Sequence, residues 1–527
     1  MAVDTMQFLP SYEQMERLIA AMNSQQSANL DDLTGLSDLE KRISKEFVAK
    51  RTGKVFATKV WKYATNHTIE GVRMRDSVGL TCAPSTDSVE GQDDFMSASP
   101  IFQWWHCNYT RDDDSTARPT AMEYDANYKT EGAVDVGTLS PTFWWAVEEH
   151  ATYQIWYISD TPHPELGLVP WKDAVKANGT VLPFYIDSSY YSTDNAEGEK
   201  IIPRSLPDKC PNYNNSYNNM IPKYQQKGTG YWGGGDSVNL LGYIFYVIKY
   251  ACKSSGKYFR GHADTFSRKV KCAVGETKVT RVLLADQGVF YVGGCVSVGV
   301  ANGTSTDNGE PKMSSLANRV RVKSIEKVTV GGIEYVALNL DTSKTFDTTT
   351  DTYVSPMPCW NGETDKVIGK YDGSYLSNTD GCHTFRIKGI EYMNGQAILP
   401  SDVVMERDDD NGMWNVFTAP KGVKHVADAH TGYKLTGKIP ALSGDYYSGD
   451  MQVDYQTGGF NPCSQGGGDA VGTGDMVWGP QSGADTNGEK REKYSLGGLW
   501  GGSSVGFCRV DCGRDLGAAW WHSGSRD

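Results

Sequence analysis

GGLWGGSSVGFCRVDCGRDLGAAWWHSGSRD, residues Gly497 to Asp527, is the stretch that decides how this chain is read. It is dense in Gly, Ser and Trp. Glycine permits the positive φ values that tight backbone reversals need. Trp500, Trp520 and Trp521 are large, stiff and amphipathic, the kind of side chain that anchors binding surfaces. Aromatics set among small residues have the composition of a paratope. A second reading stands beside this one: a twisted hairpin whose tryptophans are simply core.

Three pieces of the stretch carry a family resemblance: Gly497-Gly498-Leu499-Trp500, then Gly506-Phe507, then Trp521-His522-Ser523-Gly524-Ser525-Arg526. Together they resemble the ending of C-type-lectin-fold proteins of the formylglycine-generating-enzyme type. More narrowly, they look like the ligand-binding end of phage tropism determinants, whose genes a diversity-generating retroelement rewrites in some members. Upstream, Tyr371-Asp372-Gly373-Ser374-Tyr375 and Phe385-Arg386-Ile387-Lys388-Gly389-Ile390-Glu391 are similar to the opening of the same fold. The resemblance spans roughly Asp365 to Asp527. It implies a fixed framework of Gly497, Gly498, Trp500, Gly506, Trp521, Gly524 and Arg526, with Trp500 buried against Arg526 and Trp521. It further implies a contact face made of Leu499, Gly501, Gly502, Ser504, Arg509, Asp511, Gly513, Arg514, Ala518, Trp520 and His522. The region from Arg51 to Leu168, and again near Gly233 to Gly256, is similar in flavour to phage tail-fibre proteins that carry such domains.

Working outward, 527 residues exceed what one hydrophobic core normally serves, so several domains are expected. A net charge of −13 argues against nucleic-acid binding, which needs a basic face to displace counterions from phosphates. With 57 glycines, 29 tyrosines and a mean hydropathy of −0.47, the chain reads as β-rich, turn-rich and exposed. Its first twenty residues hold Asp4, Pro10, Glu13 and Glu16 and no uninterrupted apolar run, so synthesis in a host cytoplasm is expected. The most apolar segment, Val238 to Cys252, is interrupted by Asn239, Gly242 and Lys249, which predicts no membrane insertion. Eleven cysteines without a CxxC pair fit reduced, buried thiols.

Residues 1–50 predict a helical attachment or oligomerisation segment. Ser11-Tyr12-Glu13-Gln14 and Ser37-Asp38-Leu39-Glu40 are capping-box patterns, and Leu36, Leu39, Ile43, Phe47 and Val48 share one helical face. That face suits either a cap lying on the next domain or a short oligomeric seam. Residues 51–205 predict a β-rich domain, on the alternation of Val55 to Trp61 and the aromatic, β-branched run Tyr153 to Ile158. Residues 206–265 read as a Gly-rich loop and a helix, capped at Asp236-Ser237 and apolar nearly all round, hence buried. Residues 266–355 predict a small β-sandwich or barrel whose Gly331-Gly332 pair marks a hairpin turn. Residues 365–527 form the C-type-lectin-like α+β domain that the resemblance implies. The fold class expected is therefore multidomain and mainly β with some α.

Enzyme chemistry finds little support in the residues. Asp112-Asp113-Asp114, Asp408-Asp409-Asp410 and Glu148-Glu149-His150 invite a glycosidase reading or a Ca²⁺ site. Neighbours on a strand point to opposite faces, however, so adjacent carboxylates seldom form an acid and base pair. Cys508 and Cys512 sit later than the paired cysteines of formylglycine-generating enzymes and read as small apolar residues facing inward on one strand. His383, His425 and His430 lack metal-ligand spacing. No HExxH, phosphate loop or GxSxG is present. The expectation is a non-enzymatic, cofactor-free adhesin of a phage virion tail, homotrimeric and joined to other tail proteins. It would recognise a glycan or protein receptor on a bacterial surface. A structural tail component and a polysaccharide-degrading enzyme are the alternatives.

Overall fold

The strand Val55–Trp61 is buried on both faces, and the reason is visible in what each face meets. In the computed structural model, which describes residues 35–265, 269–301, 311–442, 444–468, 471–479, 487–495 and 502–527, it sits inside a five-stranded antiparallel sheet. The order is Val169–Pro170, Trp144–Glu149, Tyr153–Ser159, Val55–Trp61, Val72–Arg75. Phe56, Val60, Trp145, Trp156 and Ile158 face one core, while Val55, Ala57, Trp144 and Tyr157 face another. The alternation read from the sequence thus sorts side chains between two apolar neighbours rather than between core and water. A four-stranded sheet, Phe184–Ser188, Asp135–Pro141, Trp105–Arg111 and Ala117–Met122, follows. Among the described residues strand accounts for 36% and helix for 13%, so the chain is mainly β.

Helix α1, Asp38–Ala49, starts at the capping box expected from Ser37 and Glu40. Its Ile43 and Phe47 pack on Cys107, Leu139, Phe184 and Ile186 of the four-stranded sheet, so this face caps that sheet within the chain. The Ser11 box lies outside the described residues. A four-residue helix α2, Phe95–Ala98, and helix α3, Tyr217–Gln225, which opens on a second capping box at Ser216, follow.

Helix α4, Ser237–Tyr250, is buried along its whole length, as its all-round apolar pattern predicts. Asp236 is not its side-chain cap. The Asp236 amide donates to Asp402 Oδ1 at 3.0 Å, while its carboxylate takes the Lys493 ammonium and accepts from Ser495 Oγ at 3.1 Å. One core joins α4 to the strands at Phe56 and Trp156 on one side and to Phe385, Tyr392 and Phe507 on the other. A Cβ at Gly242 would lie 2.4 Å from Phe507 Cε1, so only glycine permits this close approach.

The small β region is a six-stranded sheet with a core of its own, including Val282, Val298, Leu338 and Val354. Its longest pair, Ala317–Val330 and Ile333–Leu340, turns at Gly331 and Gly332 with φ of +58° and +83°. Both positive values identify the two-residue turn that matches strand twist. The C-terminal region contains a three-stranded sheet, Gly373–Ser374, Phe385–Ile387 and Ile390–Tyr392, and a four-stranded antiparallel sheet centred on Met413–Thr418. Its mixed six-stranded sheet runs Tyr446–Tyr447, Met476–Trp478, Val510–Asp511, Tyr494–Ser495, Ala397–Ile398, Ser523–Gly524.

Candidate ligand-binding face

The frame comes first. Ser523–Gly524 pairs in parallel with Ala397–Ile398, which fixes the closing segment in the sheet. Gly524 packs so tightly that a Cβ there would meet Gln396 Oε1 at 2.3 Å; at Gly506 it would meet Ser255 Oγ at 2.2 Å. Arg526 is buried, donates to the carbonyls of Ser188 (2.7 Å) and Glu391, and stacks 4.6 Å from the Tyr191 ring centre. These two bonds and the ring contact hold the closing segment to the rest of the chain. Gly497, Gly498 and Trp500 lie outside the described residues. Trp521 is half-buried, and its carbonyl accepts from Arg319.

On this frame the mixed sheet has an inner and an outer face. Tyr446, Val477 and Val510 point into a core with Trp414 and Ile439. Their neighbours Tyr447, Met476, Trp478 and Asp511 are half-buried on the other side, where Trp478 packs against the core around α4, with Tyr447 opposite Met476 and Trp478 opposite Asp511. Ser504, in the short turn Gly502–Ser504, lies 3.3 Å from the Tyr447 hydroxyl. Gly513, Arg514, Ala518 and Trp520 are also half-buried, and the Arg514 guanidinium covers the Trp520 ring at 3.3 Å. Leu499 and Gly501 lie outside the described residues. Tyr447, Met476 and Trp478 were not singled out from the sequence; their signal was the short alternation of Tyr446-Tyr447 and Met476-Val477-Trp478.

Two residues expected on the contact face are interior. Arg509 is 1% exposed, 4.4 Å over the Trp478 ring and 3.6 Å from Asp511. His522 is 3% exposed, between Trp520 at 5.2 Å and Trp521 at 5.0 Å. Burial, reinforced by the charges of Arg509, Arg319 and Arg514, pushes its pKa well below the usual value and keeps the ring neutral. Both pack against half-buried rings, Arg509 on Trp478 and His522 between Trp520 and Trp521.

The groups that invited other chemistry are engaged locally. Asp112 is bridged by Arg118 at 2.9 Å, Asp114 accepts from the Thr116 and Ala177 amides, and Asp408 accepts from Asn411. Glu148 takes the Tyr157 hydroxyl at 2.7 Å, and Lys62 meets Glu149 at 2.8 Å. The one potential metal-ligand trio among the described residues is Cys82, Asp93 and Asp372, and Lys249 already holds both carboxylates there. His383 pairs with Asp380, His425 bonds Ser401 and His430 pairs with Glu406, so these histidines point to separate places. Cys508 and Cys512 enter two different cores instead of facing one side together.

A separate polar cavity of about 70 Å³ opens where the start of α4, the strand Phe184–Ser188 and the loop 419–425 meet. Lys172 and Asp173 pair there at 2.9 Å, and Lys421 donates to the Ser115 carbonyl at 3.0 Å. Asp187 Oδ2 has no hydrogen-bond partner among the described residues. Burial raises the Asp187 carboxyl well above the usual range, raises Asp402 to about 7 and lowers Lys421 to about 8. Such groups exchange protons near neutral pH. No protein-family model matches this chain, and no curated protein matches it.

Proposed function

We propose that this protein is the receptor-binding protein of a phage tail, and that its closing segment around Arg514 and Trp520 contacts a bacterial surface receptor. The observation that carries this reading is the half-buried pair Arg514 and Trp520, stacked at 3.3 Å, with Trp521 half-buried nearby across His522, on a closing segment held in the sheet by tightly packed Gly524. Large aromatic and guanidinium groups held by a rigid support lose little entropy on binding. The resemblance of the last thirty residues to phage tropism determinants supplies the biological setting, a homotrimer in the virion tail. Several copies on one particle would raise avidity beyond that of a single weak site.

The test is binding of the full chain to a panel of bacterial cells, measured by flow cytometry. A Trp520→Ala/Arg514→Ala double variant with unchanged thermal unfolding is the control. The expected result is binding to at least one host and a loss of tenfold or more in the variant. Undiminished binding by the variant would remove this face as the contact surface. A polysaccharide-degrading reading rests on one observation, the raised carboxyls Asp187 and Asp402 in a shared cavity. Release of soluble saccharide from host envelopes, abolished by Asp187→Asn, would favour it over adhesion alone.

A further inference from the structure

We propose that the binding face continues beyond the C-terminal segment, as a strip of aromatic rings interleaved with arginines, and that the strip takes an acidic polysaccharide. This rests on the adhesin reading and adds a ligand class to it. The strip can be walked contact by contact. From Arg514 over Trp520, the path passes His522 to Trp521, whose ring faces the Arg319 guanidinium at 6.0 Å. Arg319 lies 4.0 Å over Tyr213, and its carbonyl accepts from Trp360 Nε1 at 3.0 Å. Arg321 then covers the Trp360 ring at 4.5 Å. Trp520, Trp521, Tyr213 and Trp360 are all half-buried, so each ring keeps surface for a ligand.

The backbone at Arg319 is arranged for this display. Arg319 and Arg321 lie two apart on the strand Ala317–Val330, at a bulge in its pairing. The register slips between Val296 and Val298 opposite them, and Arg319 itself has φ of +52°. A left-handed arginine in a bulge is unfavourable unless the surroundings enforce it, and bulges commonly re-aim a side chain at a site. Here the re-aimed guanidinium lands between two aromatic rings and the Trp521 carbonyl.

Charge selects the ligand. Arg319 is 4% exposed and its Nη1 has no hydrogen-bond partner, Arg514 has no carboxylate partner among the described residues, and Arg321 pairs with the exposed Asp208 at 3.0 Å, a carboxylate that an acidic ligand would replace. Three guanidinium groups along one strip are a local departure in a chain of net charge −13. Guanidinium matches carboxylate and phosphate in a bidentate, planar fashion, and the flat rings between suit stacking against sugar rings carrying such groups. Ala317 to Arg321 pairs with Cys295–Val300, and the ladder to Ile333–Leu340 begins at Val322, so strand addition by an acidic peptide is the competing mode that the titration separates.

The full chain is titrated with polygalacturonate, polysialic acid, methyl-esterified polygalacturonate, dextran and poly-glutamate, using wild type, Arg321→Gln and Trp360→Ala. Expected is binding to a charged polysaccharide that weakens at least tenfold with its neutral counterpart and with poly-glutamate. Each variant should lose tenfold at unchanged melting temperature, although Trp520 and Arg514 are intact. The proposal is overturned if neither charged polysaccharide binds, if neutral or peptide probes bind equally, or if both variants bind as wild type. Cell binding that survives Arg321→Gln and Trp360→Ala but not the Trp520/Arg514 change would remove the strip and leave the adhesin reading intact.

Discussion

At the level of single residues, the C-terminal segment divides into side chains that can be changed freely and side chains that cannot. Trp520 and Arg514 are half-exposed and stacked on each other, so replacing both with alanine should cost under about 1 kcal/mol of stability while removing ligand contacts. Arg509 is enclosed over Trp478, and Arg509→Ala should cost about 2–4 kcal/mol, read as a lowered midpoint in urea. The sequence could not separate these arginines. They lie five positions apart in a Gly-rich run with no regular period, and burial there is set by strands far away in the chain. Asp475 offers a pH test. Burial raises its carboxyl to about 7, although the Cys508 amide donates to it at 2.9 Å. Between about pH 4 and 7 the unfolded chain has released this proton and the folded chain keeps it, so this group's contribution to stability falls as pH rises through that window. Asp475→Asn keeps an acceptor for the Cys508 amide and removes the titration. The variant should therefore show a flatter dependence of melting temperature on pH between 5 and 7.

Elements specified by their own residues were legible, and those specified by distant partners were not. Helix α1 starts where Ser37 and Glu40 say it should, because a capping box is a local exchange of hydrogen bonds. Ser37→Ala should cost about 1 kcal/mol of stability in thermal or chemical melts. The hairpin at Gly331-Gly332 was equally legible, since only the left-handed region joins two twisted strands through two residues. Gly331→Val should therefore destabilise the small β region by about 1–2 kcal/mol, and Gly331→Asn by much less, as Asn tolerates φ of this sign. Hydrogen exchange of the Val322–Leu340 pairing would separate the two variants. By contrast, the Asp236-Ser237 pair looked like a cap for α4, and the ion pair with Lys493 that Asp236 makes instead depends on a residue 257 positions away. The outer face of the mixed sheet was missed for the same reason. Its strands are two or three residues long, too short to display a period, and they meet only through pairings across the chain.

On the scale of the whole molecule, the division into a β-rich region, a central helix and a C-terminal region does not correspond to separate cores. Helix α4 is the shared element: Phe385, Ile390, Tyr392 and Phe507 from the C-terminal region pack in one cluster with it and with Phe56, Trp145 and Trp156 from the other side. Burying a side chain of this size contributes about 1.5–3 kcal/mol. Removing α4 from beneath four of them therefore withdraws about 6–12 kcal/mol, comparable with the whole stability of a typical domain. The region 365–527 expressed alone should thus fail to unfold cooperatively and should bind a hydrophobic dye, whereas the full chain should do neither. The small β region behaves differently, because it has its own core and its ends meet, with Val270 paired to Val354. Replacing 271–353 by a short Gly-Ser linker should leave the remaining chain with a cooperative thermal transition. It would lose the Tyr291 hydroxyl, which donates to Glu363 at 2.6 Å, and so melt somewhat lower. That deletion also removes Arg319 and Arg321 while leaving Trp520 and Arg514 in place. A folded deletion protein that still adheres to cells but no longer binds acidic polysaccharide would assign the two activities to the two regions that the packing separates.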